Sequence, residues 1–193
     1  MKNMVCAAAL LVTLAVILVS CAGPYAASRR EVFEGRQLLN RGEYAEAQQA
    51  FVKAIAARPS AWAYALAATA SYKMNDLPDA QRYIDEAFKM DGTSDAYLRM
   101  LAYRALILLK EGRQQEGTQA LRHYLDSYKN YYPIPHREEI ERILAGGGGD
   151  LARLERLLDE GIDSYESDVA QREGEGTGYM ANRYGRPVFP TVP

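Results

Sequence analysis

Cysteine is almost absent from this chain of 193 residues. The only two cysteines are Cys6 and Cys21, and both lie close to the amino terminus. The chain has no cysteine after Cys21, so no disulfide can form within that part. We therefore expect the body of the chain to be held together by side-chain packing.

Histidine is equally scarce. The chain has two histidines, His123 and His136, and neither belongs to an HExxH motif or a similar spacing. Metal ligation and acid–base catalysis usually need clustered His, Cys, Asp or Glu side chains. We predict that both histidines lie on helix surfaces and that the protein has no metal site and no cofactor.

Other catalytic motifs are missing as well. The run Gly146–Gly149 has no preceding strand and no following Gly-Lys-Ser/Thr, both of which a phosphate-binding loop requires. Asp150 follows the run, where its carboxylate would fill the anion position at a helix start, so we expect a flexible turn. No serine stands in a Gly-x-Ser-x-Gly elbow. The sequence predicts a protein that is not an enzyme and shows no small-molecule substrate.

Charge of one sign is not in excess. Lys and Arg number 23 against 25 for Asp and Glu, which gives a formal net charge of -2. The chain has no excess of basic residues that would favour nucleic acid as a partner. It also has no acidic block that would indicate a solvating tail.

The amino terminus has the pattern of a targeting segment. Lys2 supplies a positive start, and Met4–Val19 contains no charged residue. The segment ends with Leu18-Val19-Ser20-Cys21, which resembles the bacterial lipobox. The resemblance implies a signal peptide at residues 1–20, cleavage before Cys21, acylation of that cysteine, and an acylated linker at residues 21–27. Acyl chains anchor a protein because each buried methylene contributes about 0.8 kcal/mol.

An uncleaved transmembrane helix is the alternative, because residues 3–27 carry no charge and a span needs only about 20 apolar residues. Either anchor predicts a chain that is exported and tethered to the cell envelope. Ala22 stands where an aspartate would resemble an inner-membrane retention signal. This favours the outer membrane, facing the periplasm, if the source has two membranes.

Regularly spaced residues follow from Gly42 to Pro59. Ala47, Phe51 and Ala54 lie at i, i+4 and i+7, which places them in one apolar stripe of a helix. Gly42 precedes this helix as a turn residue and Pro59 ends it. The stretch resembles the second helix of a tetratricopeptide repeat.

The same stripe recurs downstream, with steps of 33, 37 and 37 residues. The turns between paired helices are predicted at Gly42, at Asn75 to Leu77 and at Gly112. The later stripes consist of Ala80, Ile84 and Ala87, then Gly117, Leu121 and Tyr124, then Leu154 and Leu158.

The resemblance implies an all-α, right-handed α-solenoid of helix-turn-helix repeats. Three good units would occupy residues 28–129, and a connector with a degenerate capping hairpin would occupy residues 130–161. A terminal unit departs from the pattern because it must cap the core. Residues 162–193 are polar, glycine-rich and then proline-rich, which predicts a flexible tail. Its apolar end could also fold back into the groove of the array.

In this family the first helix of each unit lines a concave groove that binds peptides. The resemblance places nine residues there: Arg29, Arg36, Trp62, Thr69, Tyr72, Lys73, Arg99, Tyr103 and Lys110. Arginine and aromatic side chains are common anchors in interfaces. We expect this groove to suit an extended peptide with acidic side chains or a free carboxylate. The alternative is that the aromatic residues pack between helices and the basic residues are solvated.

These features together predict a membrane-anchored protein-interaction scaffold. Its partners would be an envelope protein or peptide and, through acylated Cys21, the lipid bilayer. By layout it resembles small repeat-bearing lipoproteins that support assembly of secretin, pilus or outer-membrane machinery. An envelope factor that binds peptidoglycan or another glycan through its aromatic groove is the alternative.

Overall fold

The computed structural model describes residues 23–90, 96–127, 133–147 and 149–174. These ranges contain helices and no strand, which confirms the predicted all-α class. None of these helices is both long enough and apolar enough to cross a membrane. In chain order they are α1 (residues 23–40), α2 (Tyr44–Ala57), α3 (Ala61–Lys73), α4 (Leu77–Met90), α5 (Tyr97–Lys110), α6 (Gln114–Ser127), α7 (Arg137–Ala145) and α8 (Leu151–Gly174).

Three pairs of helices are joined by the same three-residue turn. The middle residues are Gly42, Asn75 and Gly112, with φ of 79°, 65° and 77°. Glycine and asparagine tolerate this left-handed region, which lets the chain reverse directly after a helix. In the first turn the Glu43 N–H donates to the Leu38 carbonyl over 3.0 Å, and the other two turns repeat this bond. The three predicted turns are therefore confirmed.

The predicted apolar stripes face the interior. Gly35 on α1 lies so close to Phe51 of α2 that an added Cβ would stand 2.5 Å from the ring, so the Phe51 ring packs directly against the α1 backbone. Every predicted stripe residue in the second helices is buried: Ala47, Phe51, Ala54, Ala80, Ile84, Ala87, Gly117, Leu121, Tyr124, Leu154 and Leu158.

Helices α3 and α5 form the centre of the molecule. Helix α3 packs against α2, α4 and α5, and α5 packs against α4, α6 and α8. Both central helices are buried on almost every side, as expected for helices covered all round. The many alanines of α3, such as Ala63 and Ala67, allow its neighbours to approach closely.

The last helix corrects the predicted flexible tail. Helix α8 continues to Gly174, so residues 162–174 are helical, and residues 175–193 lie outside the described part. Ile162, Tyr165 and Val169 are buried at a helical spacing along its inner face. Gly161, near which the predicted capping hairpin ends, lies inside α8 at a close-packing position, because an added Cβ would lie 2.8 Å from the hydroxyl oxygen of Tyr124.

The predicted linker at residues 21–27 also needs correction. Residues 23–27 already belong to α1, and Pro24 lies near its first described residue. Residues 1–22, with the proposed signal peptide and Cys21, lie outside the described residues.

Candidate interaction surface

The nine predicted groove residues come from α1, α3 and α5, and the long helix α8 lies across a large part of them. Helix α8 contacts α5 directly. Its carboxylates at Glu155, Asp159, Asp163 and Glu166 are spaced by four, four and three residues. That spacing places them in one stripe of the helix. An acidic helix therefore lies against the basic side chains that the sequence singled out.

The central contact is an ion pair between Arg99 on α5 and Glu166 on α8. Arg99 Nε and Nη2 donate to the two carboxylate oxygens over 2.7 and 3.0 Å. The side chains are 5% and 3% exposed, so water screens the pair very little. The hydroxyl of Thr69 lies 3.4 Å from Arg99 Nη1, and Asp163 lies 3.5 Å from Nη2. Burial alone would lower the pKa of Arg99, but the Glu166 carboxylate outweighs it and raises that pKa.

A second cluster joins α3 and α5 to the first half of α8. Lys73 Nζ donates to Asp159 over 2.6 Å and also donates to Glu155. The Tyr103 hydroxyl donates to the other Asp159 oxygen over 2.7 Å. Burial would lower the pKa of Lys73, but Asp159 and Glu155 raise it overall. Burial, reinforced by Asp159, raises the pKa of Tyr103 well above its ordinary value.

Two tyrosines pack against each other at the end of the surface near Lys110. The rings of Tyr72 and Tyr103 meet edge to face, with centroids 5.5 Å apart. Lys110 places its ammonium 4.4 Å from the centre of the Tyr72 ring. Burial, then the nearby Glu155 carboxylate, raises the pKa of Tyr72.

The structure thus brings most of the predicted groove residues together, but it covers them. Tyr72, Arg99 and Tyr103 are buried, as is Thr69, and Lys73 is mostly covered. An extended peptide cannot reach these five side chains while α8 is in place. Lys110 remains exposed at the far end.

The other end of the surface is open. Here α1, the start of α3 and the second half of α8 enclose a cleft of about 530 Å³. Three of the predicted residues, Arg29, Arg36 and Trp62, line it. We call this site the amino-terminal cleft. Its other lining residues are Tyr25, Ser28, Val32 and Phe33 of α1, Arg58, Pro59 and Ser60 before α3, and Tyr165, Glu166 and Val169 of α8.

Arginine and aromatic side chains alternate along the cleft. The guanidinium carbons of Arg29 and Arg58 lie 5.7 and 4.9 Å from the centre of the Tyr25 ring. Arg36 lies over Trp62 at 5.4 Å and reaches Glu166 over 3.2 Å. Guanidinium groups over aromatic faces are attracted by the electrostatic field of the ring.

Sequence reasoning missed Tyr25, Phe33 and Arg58 in this cleft. Tyr25, Arg29 and Phe33 are four residues apart, so a helix that includes residue 25 would have put them on one face. Our assumption of a linker up to residue 27 hid that pattern. Arg58 comes from the turn before Pro59, and no periodicity could have placed it.

The two histidines lie on the surface, as predicted. Tyr97 Oη is 3.4 Å from His123 Nε2, and His136 Nε2 is 2.8 Å from a Glu160 oxygen. Within the described ranges, no group of three or more His, Cys, Asp or Glu side chains is placed to hold a metal ion.

No protein-family model matches this chain, and no curated protein matches it in sequence.

Proposed function

We propose that this protein is a lipid-anchored protein-interaction module of the cell envelope, built as a right-handed α-solenoid of tetratricopeptide-like hairpins. It supports assembly of an envelope complex such as secretin, pilus or outer-membrane machinery, and it is not an enzyme. The observation that carries this proposal is the recurrence of one hairpin design. Three turns have a left-handed residue at the same position and the same hydrogen bond. In each, a small residue follows five positions after the left-handed one, at Ala47, Ala80 and Gly117.

The open cleft supports an interaction role. It combines arginine and aromatic side chains, which are enriched at the anchoring points of protein interfaces. Phe33 is 65% exposed and Tyr25 is 51% exposed, although both side chains line a concavity. Apolar surface of this kind is stabilised when a partner covers it.

The anchor part of the proposal depends on Leu18 to Cys21. Helix α1 is already formed at residue 23, two positions after the acylated cysteine. Such a short connection would hold the cleft close to the bilayer surface and would favour partners that assemble at the membrane.

The glycan alternative has less support. A sugar ring stacks on a free aromatic face, but Arg36 lies over the Trp62 ring in the cleft. The Tyr25 ring likewise has Arg29 and Arg58 beside it.

Site-specific photo-crosslinking in the source bacterium tests the proposed function. A photoreactive amino acid replaces Phe33 in the cleft or, as a control, Val52, which is 43% exposed on α2 outside the cleft. We expect position 33, but not position 52, to give an adduct with an envelope protein identified by mass spectrometry. Adducts with peptidoglycan alone would support the alternative, and no protein adduct from either position would overturn the proposal.

A further inference from the structure

Helix α8 shows what kind of group this surface accepts. Arg99, Lys73 and Arg36 each bind a carboxylate of α8. The surface is therefore built to receive acidic side chains along one line, and α8 occupies that line from Glu155 to Glu166. Tyr165, Glu166 and Val169 then form one wall of the amino-terminal cleft.

The line of positive charge continues into the cleft. Arg29 and Arg58 both lie beside Tyr25. Neither forms an ion pair with any carboxylate in the described part of the chain. Glu166, the carboxylate that lines the cleft, already pairs with Arg99 and Arg36. An anion between Arg29 and Arg58 would form charge-assisted hydrogen bonds with these two cations.

The apolar part of the cleft lies next to these cations. Phe33 is two helical turns along α1 from Tyr25, and Val32 and Val169 line the same cavity. A group that fills the site therefore needs an apolar part beside its negative charge.

We infer that the amino-terminal cleft binds an acidic peptide segment of a partner protein. A carboxylate of the segment lies between Arg29 and Arg58, and a neighbouring apolar side chain packs against Phe33. This inference rests on the proposed function, since it names the chemistry of the partner at that site.

The shape of the site favours a peptide over a bilayer surface. The cleft has walls on α1 and α8, and it is also lined by Ser60, which precedes α3, and by Trp62 in the first turn of α3. A flat headgroup layer cannot fill such a concavity. A volume of about 530 Å³ suits a short segment of chain. A long helix is excluded along the rest of the surface because α8 is already there.

Fluorescence anisotropy with the full acylated chain in detergent tests this inference. The probe is fluorescein-labelled Gly-Ser-Phe-Glu-Leu-Asp-Gly with an amidated end. One comparison peptide has Gln and Asn in place of Glu and Asp, and another has Ala in place of Phe and Leu. We expect the probe to bind at least about tenfold more tightly than either comparison peptide, since both its charge and its apolar side chains are used. If the Ala peptide binds as tightly as the probe, binding reflects only a general attraction of anions, and the inference is overturned.

Matched variants locate the binding. Arg29→Gln combined with Arg58→Gln should weaken binding of the probe by about tenfold or more. These side chains are exposed, so the helix content measured by circular dichroism should be retained. The control is Arg82→Gln with Lys89→Gln on α4, which changes the net charge equally and lies outside the cleft. The inference is overturned if both double variants weaken binding to the same extent.

A truncated chain that ends after Gly174 tests whether the cleft is filled by a partner or by residues 175–193 of the chain itself. If the cleft serves a partner, this chain and the full chain bind the probe within about twofold of each other. Binding that rises tenfold on truncation would show that the end of the chain fills the cleft, which overturns the inference. Photo-crosslinking to an envelope protein without probe binding would leave the proposed function standing and refute the inference. Probe binding without any protein adduct would support the inference about the cleft and refute the proposed function.

Discussion

Arg99 and Glu166 are 67 residues apart in sequence and form a two-point ion pair between α5 and α8. The pair is almost completely buried, so it fixes where the last helix of the described chain lies. The contact also decides which part of the predicted groove stays open. Glu166 uses its remaining hydrogen-bonding capacity on Arg36, which lines the amino-terminal cleft.

Glu166→Gln should destabilise the fold strongly. Removing this charge leaves the buried Arg99 guanidinium with Asp163 at 3.5 Å as its nearest carboxylate partner. Loss of one partner of a buried pair typically costs about 3–5 kcal/mol. The midpoint of urea unfolding measures the effect. Arg99→Met combined with Glu166→Leu removes both charges and should lose less stability than Glu166→Gln alone. If the double variant is less stable than Glu166→Gln, the unpaired Arg99 charge is not the cause of the destabilisation.

Gly161→Ala should also destabilise, although alanine is the better helix former. The intrinsic gain in a helix is about 1 kcal/mol. The new Cβ would lie 2.8 Å from the hydroxyl oxygen of the buried Tyr124, and such overpacking costs about 1–3 kcal/mol. Tyr124→Phe in the same chain removes the clashing oxygen, so it should restore stability to Gly161→Ala in thermal unfolding. If Gly161→Ala is instead more stable than the parent, the close approach of α6 and α8 is wrong.

The sequence predicted the helical pairs well because their signals are local. Gly42, Asn75 and Gly112 adopt the left-handed turn, and the small residues that follow at helical spacing are buried. Backbone sterics and a single periodicity determine these features. The grouping of Arg99, Lys73 and Tyr103 on one surface was implied by the resemblance to the tetratricopeptide repeat.

The course of α8 could not be predicted in the same way. Residues 162–174 looked too polar to fold, because hydropathy treats Asp163 and Glu166 as solvated charges. Glu166 is in fact buried because Arg99, far away in sequence, pairs with it. The predicted repeat pattern stopped at Gly161 because the packing of this glycine depends on Tyr124 of another helix. Both errors come from contacts over long sequence distances, which no local pattern contains.

Truncation tests whether α8 belongs to the folded body. A chain that ends after Gly161 lacks the buried Ile162, Tyr165 and Val169 and the partner of Arg99. We expect it to lose several kcal/mol and to be digested rapidly by trypsin, since burial of each such apolar side chain contributes about 1.5–3 kcal/mol. A chain that ends after Gly174 keeps these contacts and serves as the control. If the two chains resist trypsin equally, residues 162–174 are not needed for folding and form a dispensable tail.

Cys21→Ser tests the proposed anchor. Serine cannot form the thioether through which the lipobox resemblance implies acylation, so labelled palmitate should no longer be incorporated. The protein should then leave the membrane fraction or remain unprocessed. Cys6→Ser is the matched control. Cys6 lies inside the proposed signal, so its substitution should leave palmitate labelling and membrane localisation unchanged. Palmitate labelling that survives Cys21→Ser would refute the anchor.

Alkaline pH should unfold the protein through the cluster beneath α8. Burial raises the pKa of Tyr72 and Tyr103, and the nearby carboxylates add to that effect. The pKa of Lys73 is also raised, because Asp159 and Glu155 outweigh its burial. Each group holds its proton more tightly in the folded state than in the unfolded chain. The stability they contribute is therefore complete below about pH 10 and is lost as the pH rises further.

Urea unfolding at a series of pH values from 8 to 12 measures this loss. Each proton that the folded state retains lowers stability by about 1.4 kcal/mol per pH unit once the unfolded group has ionised. Tyr103→Phe removes one such proton. The variant starts lower because it loses the hydrogen bond to Asp159, but its stability should fall less steeply above pH 10 than that of the parent. A free energy of unfolding that stays flat across this range would mean that these groups are solvated, and that α8 does not cover them in solution.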